Sequence, residues 1–344
     1  MNDQMQLIKK YKQYIELKSL KITNVDFQSF KFVQELDVER LRILYSCNIN
    51  FTQVPNNITQ LQIESCKLQK IKGIGEMTQL FDLDLSSNSI SEIYDIQHLI
   101  NLKTLQILYN QIENIQPLQN LMHLTQLSLY QNRIVDISAL KCLKNLDKLN
   151  LGQNQINSIH PLSQLNLSEL HISKNQISDI SPLRNLKNCF KLNLSFNQIV
   201  DISVLQYLQK LEHLYLSNNQ IVYVDPISKL TKIKELQLNC NNIIDLSHIP
   251  EFTNKSQRTC RIEYQQTPTD NQIVIANRLQ LIYQVQNCIY MMNRPRRQIK
   301  DEMLLIKQKI QNQCQILNTN NLKFSEKLVW MYSQLNLVIE MTSQ

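Results

Sequence analysis

Glycine is nearly absent from this 344-residue chain, which has three, Gly73, Gly75 and Gly152. That scarcity excludes collagen, glycine-rich linkers and most loops that cradle phosphate. Gly73 and Gly75 form a lone GxG with Thr78 where a dinucleotide loop needs its third glycine, and no GxxxxGK[ST] occurs. Long apolar runs are missing too: nothing approaches the roughly 18 consecutive apolar residues of a membrane span. The opening MNDQMQLIKKYKQYIELK holds no apolar core behind a basic region, so no secretory leader is expected. Eight cysteines stand at 47, 66, 142, 189, 240, 260, 288 and 314 without a CxxC pair. A chain this long builds a core without staples, so reduced thiols and an intracellular, cytoplasmic location are expected.

Charge and histidine are equally uninformative of chemistry. The net charge of +7 divides into +3 over residues 1–79, −1 over 80–250 and +5 over 251–344. A neutral middle is not a reader of phosphate backbones, so no nucleic-acid partner is expected. There is no HExxH and no Cys/His cluster with zinc spacing. The sequence therefore predicts no metal, no cofactor and no catalytic residue.

What the chain has in abundance is carboxamide: 40 Gln and 37 Asn, over a fifth of all residues. Eight asparagines, Asn88, Asn110, Asn132, Asn154, Asn175, Asn197, Asn219 and Asn241, recur at spacings of 22 residues, with a single 21 between Asn154 and Asn175. Around each the same apolar frame returns. In residues 124–145 it is Leu124, Leu127, Leu129, Asn132, Ile134, Ile137, Leu140 and Leu143. Units begin at Leu80, Leu102, Leu124, Leu146, Leu167, Cys189, Leu211 and Ile233, and degenerate ones at Leu17, Val38 and Ile58, with Cys66 in the asparagine place. That makes eleven repeats.

The frame has a physical reading. In Leu127-x-Leu129 the apolar residues alternate, so a short strand turns them inward and Gln126, Ser128 and Tyr130 outward. One unit cannot bury its apolar edge, but stacked units bury each other's, and their strands align in parallel. The asparagine is a scaffold residue, its buried carboxamide satisfying backbone groups where the chain turns inward. The return half is too short for an α-helix. Asp136-Ile137-Ser138, Asp179-Ile180-Ser181 and Asp201-Ile202-Ser203 read as capped single turns, and Pro117, Pro161, Pro182 and Pro226 share the offset of a first turn position.

The pattern L-x-x-L-x-L-x-x-N-x-I-x-x-I-x-x-L-x-x-L-x-x, strong over residues 80–249 and weak over 17–79, resembles the 22-residue class of leucine-rich repeats. That class is familiar from the nuclear regulatory subunit of protein phosphatase 1 and from bacterial internalins; the Asp-Ile-Ser-Pro-Leu return at 179–183 is similar to the latter. The resemblance implies an α/β leucine-rich-repeat solenoid, with a curved parallel sheet on its concave face and 3₁₀ turns on its convex face. The internalin likeness implies a surface adhesin, the other a regulatory subunit of a phosphatase or similar signalling enzyme.

Register lists the outward columns. One runs Lys21, Arg42, Gln62, Asp84, Gln106, Ser128, Asn150, His171, Asn193, Tyr215, Gln237. Two residues on come Leu44, Glu64, Ser86, Leu108, Tyr130, Gly152, Ser173, Ser195 and Ser217, and then Tyr45, Ser65, Ser87, Tyr109, Gln131, Gln153, Lys174, Phe196 and Asn218. Two aromatic clusters stand on this polar surface: Leu108 with Tyr109 and Tyr130, and His171 with Phe196, His213 and Tyr215. Aromatics on a rigid face bury large area for little lost entropy, which suits contact with a protein partner. Glu64, Asp82 and Asp84 form an acidic patch beside them. His171 and His213 lie two units apart, roughly 9–10 Å at sheet spacing, too far for one zinc. The expected activity is that of a protein-binding scaffold without catalysis.

The ends depart from the repeat. Residues 1–16 carry Met5, Ile8, Tyr11 and Ile15 on one helical side, an N-terminal capping helix, and the solenoid occupies 17–250. Residues 251–270 are polar and read as a linker. From 271 to 344 three stripes at helical spacing predict an α-helical segment, a cap or a coiled-coil-like seam for homodimerisation.

Overall fold

The computed structural model describes residues 19–24, 38–221, 224–243 and 259–261. The chain divides into two units, Met1–Arg261 and Ile262–Gln344. The capping helix expected over 1–16 and the helices expected over 271–344 lie outside the described residues.

Among the described residues twelve strands form one parallel sheet in sequence order: β1 (Ser19–Thr23), β2 (Arg40–Leu44), β3 (Gln60–Glu64), β4 (Asp82–Asp84), β5 (Thr104–Gln106), β6 (Gln126–Ser128), β7 (Lys148–Asn150), β8 (Glu169–His171), β9 (Lys191–Asn193), β10 (His213–Tyr215), β11 (Glu235–Gln237) and β12 (Thr259–Arg261). The first eleven each begin two residues after a unit start read from the sequence. The twelfth is a correction. Thr259–Arg261 falls inside the stretch read as a linker, yet pairs in parallel with β11, Leu236 opposite Cys260. The period had stopped there because Thr-Cys-Arg offers no Leu-x-Leu frame.

The return segments are 3₁₀ turns, as their length requires. Gln116–Asn120, Ser181–Asn185 and Asp225–Lys229 carry proline in their first two positions. Aspartate caps precede several: Ser138 N–H donates to Asp136 Oδ1 at 2.8 Å, Ser181 N–H to Asp179 at 2.8 Å and Ser203 N–H to Asp201 at 2.7 Å. The one 21-residue unit loses its residue here. Its turn shrinks to His160–Leu162, while Asn150 and His171 stay in register.

Between sheet and turns runs a continuous apolar core. Leu124, Leu129, Ile134, Leu140 and Leu143 have no exposed surface, and the equivalent residues of neighbouring units match them. The asparagines stitch coil to coil. Asn132 Nδ2 donates to Ile107 O of the preceding coil at 2.8 Å and to Leu129 O of its own at 3.0 Å, and its Oδ1 accepts Ile112 N–H at 3.0 Å. Asn110, Asn197 and Asn219 repeat the arrangement. In the asparagine place of the unit that begins at Ile58, Cys66 substitutes its thiol, accepting Ser46 N–H at 3.3 Å, and burial pushes that thiol's pKa up.

Candidate functional site

The strand face is built by alternation. Ladder pairing places Asp84, Gln106, Ser128, Asn150, His171, Asn193, Tyr215 and Gln237 side by side across eight strands. A second column, two residues earlier, comprises Asp82, Thr104, Gln126, Lys148, Glu169, Lys191, His213 and Glu235. The same alternation contains it and turns Gln126 outward, but among its members only Asp82 and His213 stand as candidate contacts in the sequence. The charged partners Lys148, Glu169, Lys191 and Glu235 were thereby missed.

Beyond the strands the chain turns through a left-handed residue in every coil. Tyr45, Ser65, Ser87, Tyr109, Gln131, Gln153, Lys174, Phe196, Asn218 and Cys240 have φ between 50° and 59°. Such a residue costs an L side chain roughly 1–2 kcal/mol. The turn keeps its N–H in the ladder: Tyr109 N–H reaches Tyr130 O and Gln131 N–H reaches Gly152 O, both at 2.9 Å. It also throws the side chain outward, leaving Tyr109 47% and Phe196 48% exposed.

The column between is a correction to the outward reading. Leu44, Ser86, Gly152, Ser195 and Ser217 are buried although they project to the open side. Ser86, Gly152, Ser195 and Ser217 are short beside the side chains that flank them. Flanking side chains also take their backbone: Ser86 N–H donates to Asp84 Oδ1 at 2.9 Å, Gly152 N–H to Asn150 Oδ1 at 3.1 Å and Ser195 N–H to Asn193 Oδ1 at 3.1 Å.

The candidate residues fall into three local groups. Tyr109 and Tyr130 meet edge to face, centroids 5.5 Å apart and planes at 73°, with Leu108 half-buried beside them. The Tyr130 ring lies over Gly152, where an added methyl would stand 2.9 Å from Cδ2. In the acidic patch Gln62 Nε2 bridges Glu64 Oε2 and Asp84 Oδ2, each at 3.1 Å. Burial, with the Asp84 carboxylate second, raises the Asp82 pKa, and Arg40 opposes them.

The cluster of His171, Phe196, His213 and Tyr215 separates into pairs. Tyr215 OH donates to Glu235 Oε2 at 2.6 Å and Gln237 Nε2 to Oε1 at 3.1 Å, with His213 Nδ1 3.4 Å from the same carboxylate. The Tyr215 hydrogen bond leads in holding the Glu235 pKa below its ordinary value. His171 Nε2 stands 3.9 Å from Glu169, which is bound at 2.6 Å by Lys148. Burial, then Lys191, lowers the His171 pKa. Lys174 Nζ lies 5.5 Å from the centre of the Phe196 ring. Among the described residues no group of His, Cys, Asp and Glu has the arrangement of a metal site. Nor is any described helix long and apolar enough to cross a membrane.

Comparison with known proteins points to one repeat type. The family profile described as "Leucine Rich repeats (2 copies)" matches residues 123–164 and 209–251, and that described as "Leucine rich repeat" matches 165–221. Internalin C2 from Listeria monocytogenes is 32% identical, covering 52% of this chain and 79% of its own, with a TM-score of 0.51. Internalin InlF from the same organism is 22% identical over 77% of this chain and 95% of its own, with a TM-score of 0.60. The ectodomain of the Arabidopsis thaliana receptor kinase GASSHO1/SCHENGEN3, solved with CASPARIAN STRIP INTEGRITY FACTOR 2, is 21% identical over 68% of this chain and 34% of its own, with a TM-score of 0.56. None of the curated proteins matches the chain.

Proposed function

The chain belongs to the leucine-rich repeat proteins, and we propose that it is a protein-binding scaffold that presents its concave strand face to a protein partner and has no catalysis of its own. One observation carries this reading: the edge-to-face pair of the exposed Tyr109 and the half-buried Tyr130 on the strand face. A buried aromatic anchor at the centre of an interface contributes more than its polar surroundings. The plant receptor of like fold, whose partner is named in its complex, is consistent with the same use of the solenoid.

The test is affinity capture from native lysate. The intact chain is compared with a Tyr109→Ala, Tyr130→Ala, Phe196→Ala, Tyr215→Ala variant of unchanged circular dichroism. A protein retained by the first and lost by the second is the expected result. Equal capture by both sinks the strand-face assignment.

A second reading, a surface adhesin, is favoured by the 32% identity to internalin C2. Against it, Cys66, Cys142 and Cys189 are free thiols, which suit a reducing compartment. Fractionation decides: protein on intact cells supports the adhesin, and protein confined to the cell interior supports the intracellular scaffold.

A further inference from the structure

The buried column on the strand face is the floor of a groove. From β7 to β10 that floor consists of Gly152, Ser173, Ser195 and Ser217, with Ser195 and Ser217 only 7% and 6% exposed. His171 and Tyr215 rise on one side, Lys174 and Phe196 on the other, and the Tyr130 ring closes the end over Gly152. Three coil steps at about 4.8 Å give a length of roughly 14 Å, room for four or five residues of extended chain.

Two further observations point to an occupant. The buried side-chain polar atoms without a partner among the described residues are Ser128 Oγ, Gln153 Oε1 and Ser217 Oγ. Gln153 and Ser217 lie along the groove, while Ser128 belongs to β6, beyond the end that Tyr130 closes. A hydroxyl and a carbonyl offer a donor and an acceptor, the mixture a peptide backbone requires. The charges around the groove are also unbalanced. Glu169 is neutralised by Lys148 at 2.6 Å, and Glu235 is engaged by Tyr215, Gln237 and His213. Lys174 and Lys191 have no ion pair among the described residues. They stand on opposite flanks of the groove, and Lys148, Lys174 and Lys191 set against Glu169 and Glu235 leave one net positive charge along it.

We propose that this groove seats an extended segment of a protein partner bearing Asp or Glu side chains, its backbone on the serine floor and its carboxylates between Lys174 and Lys191. The inference rests on the strand-face reading and narrows it to one class of partner. A nucleic-acid strand does not fit, because two lysines and two occupied carboxylates do not track a phosphate backbone.

The experiment selects a phage-displayed random dodecapeptide library on the full chain and measures the enriched peptides, fluorescein-labelled, by polarisation. Enrichment in Asp and Glu is expected. Lys174→Glu with Lys191→Glu should weaken those peptides about tenfold or more, through surface charges that leave the fold alone. Ser195→Tyr, which fills the floor, should weaken them without a charge change. Peptides with no acidic bias, indifferent to charge reversal but lost with Tyr109→Ala and Tyr130→Ala, would overturn the acidic groove and leave the strand-face reading intact. Peptides indifferent to every one of these substitutions would overturn both. A library yielding no binder would overturn the groove alone, since the capture comparison tests the broader reading independently.

Discussion

A single asparagine per coil does work that no apolar residue could do. The Asn132 carboxamide joins two coils through three backbone hydrogen bonds, so Asn132→Ala strands buried backbone groups at a cost of about 1–3 kcal/mol. A lower denaturation midpoint is expected, and an unchanged one would contradict the ladder's role. His171 makes a second residue-scale statement. Its folded pKa lies below the ordinary value of about 6.5, so on acidification the unfolded chain takes up a proton before the folded one. Stability is therefore complete above that value and declines as pH falls through it, until the folded pKa is passed. Urea midpoints at pH 7 and pH 5 should differ more for the native chain than for His171→Asn, which copies Asn150 and Asn193 of the same column. Equal differences would place the titration elsewhere.

At the scale of the element, the 3₁₀ turns tolerate what the strands do not. The 21-residue unit shortens its turn from five residues to three and leaves the ladder in register, since turns pack sideways while strands are fixed by hydrogen bonds on both edges. Proline occupies one offset in four units, and Val204 stands at that offset in the turn Ser203–Tyr207. Its neighbours Pro182 and Pro226 show that a missing N–H and a fixed φ are compatible with the position. Val204→Pro should accordingly raise stability by about 0.4–1 kcal/mol through the unfolded chain. A fall in the melting temperature would mean that lost packing of the valine, 7% exposed, outweighs that gain.

For the molecule as a whole, the last described rung matters more than the sequence suggested. A solenoid's terminal strand leaves a row of unpaired backbone groups, and β12 covers the outer edge of β11. A chain ending at Pro250 should therefore unfold at lower temperature or aggregate relative to one ending at Asp270, which retains β12. Identical melting and solubility for the two would mean that Thr259–Arg261 contributes nothing to the end of the stack.

The Leu-x-Leu frame and the asparagine period specify eleven strands, their parallel order, their register and the 3₁₀ returns. The physical reason is that every unit meets the same neighbour in the same way, so a local pattern repeated at fixed spacing is already a statement about contacts between coils. Three things came only with the tertiary structure. The left-handed residue before each asparagine has no glycine to announce it, and it makes Tyr109 and Phe196 project outward. The burial of Ser195 and Ser217 depends on the height of side chains in adjacent columns, which alternation does not encode. And β12 pairs with β11 although Thr259-Cys260-Arg261 carries no Leu-x-Leu frame for the sequence to reveal it.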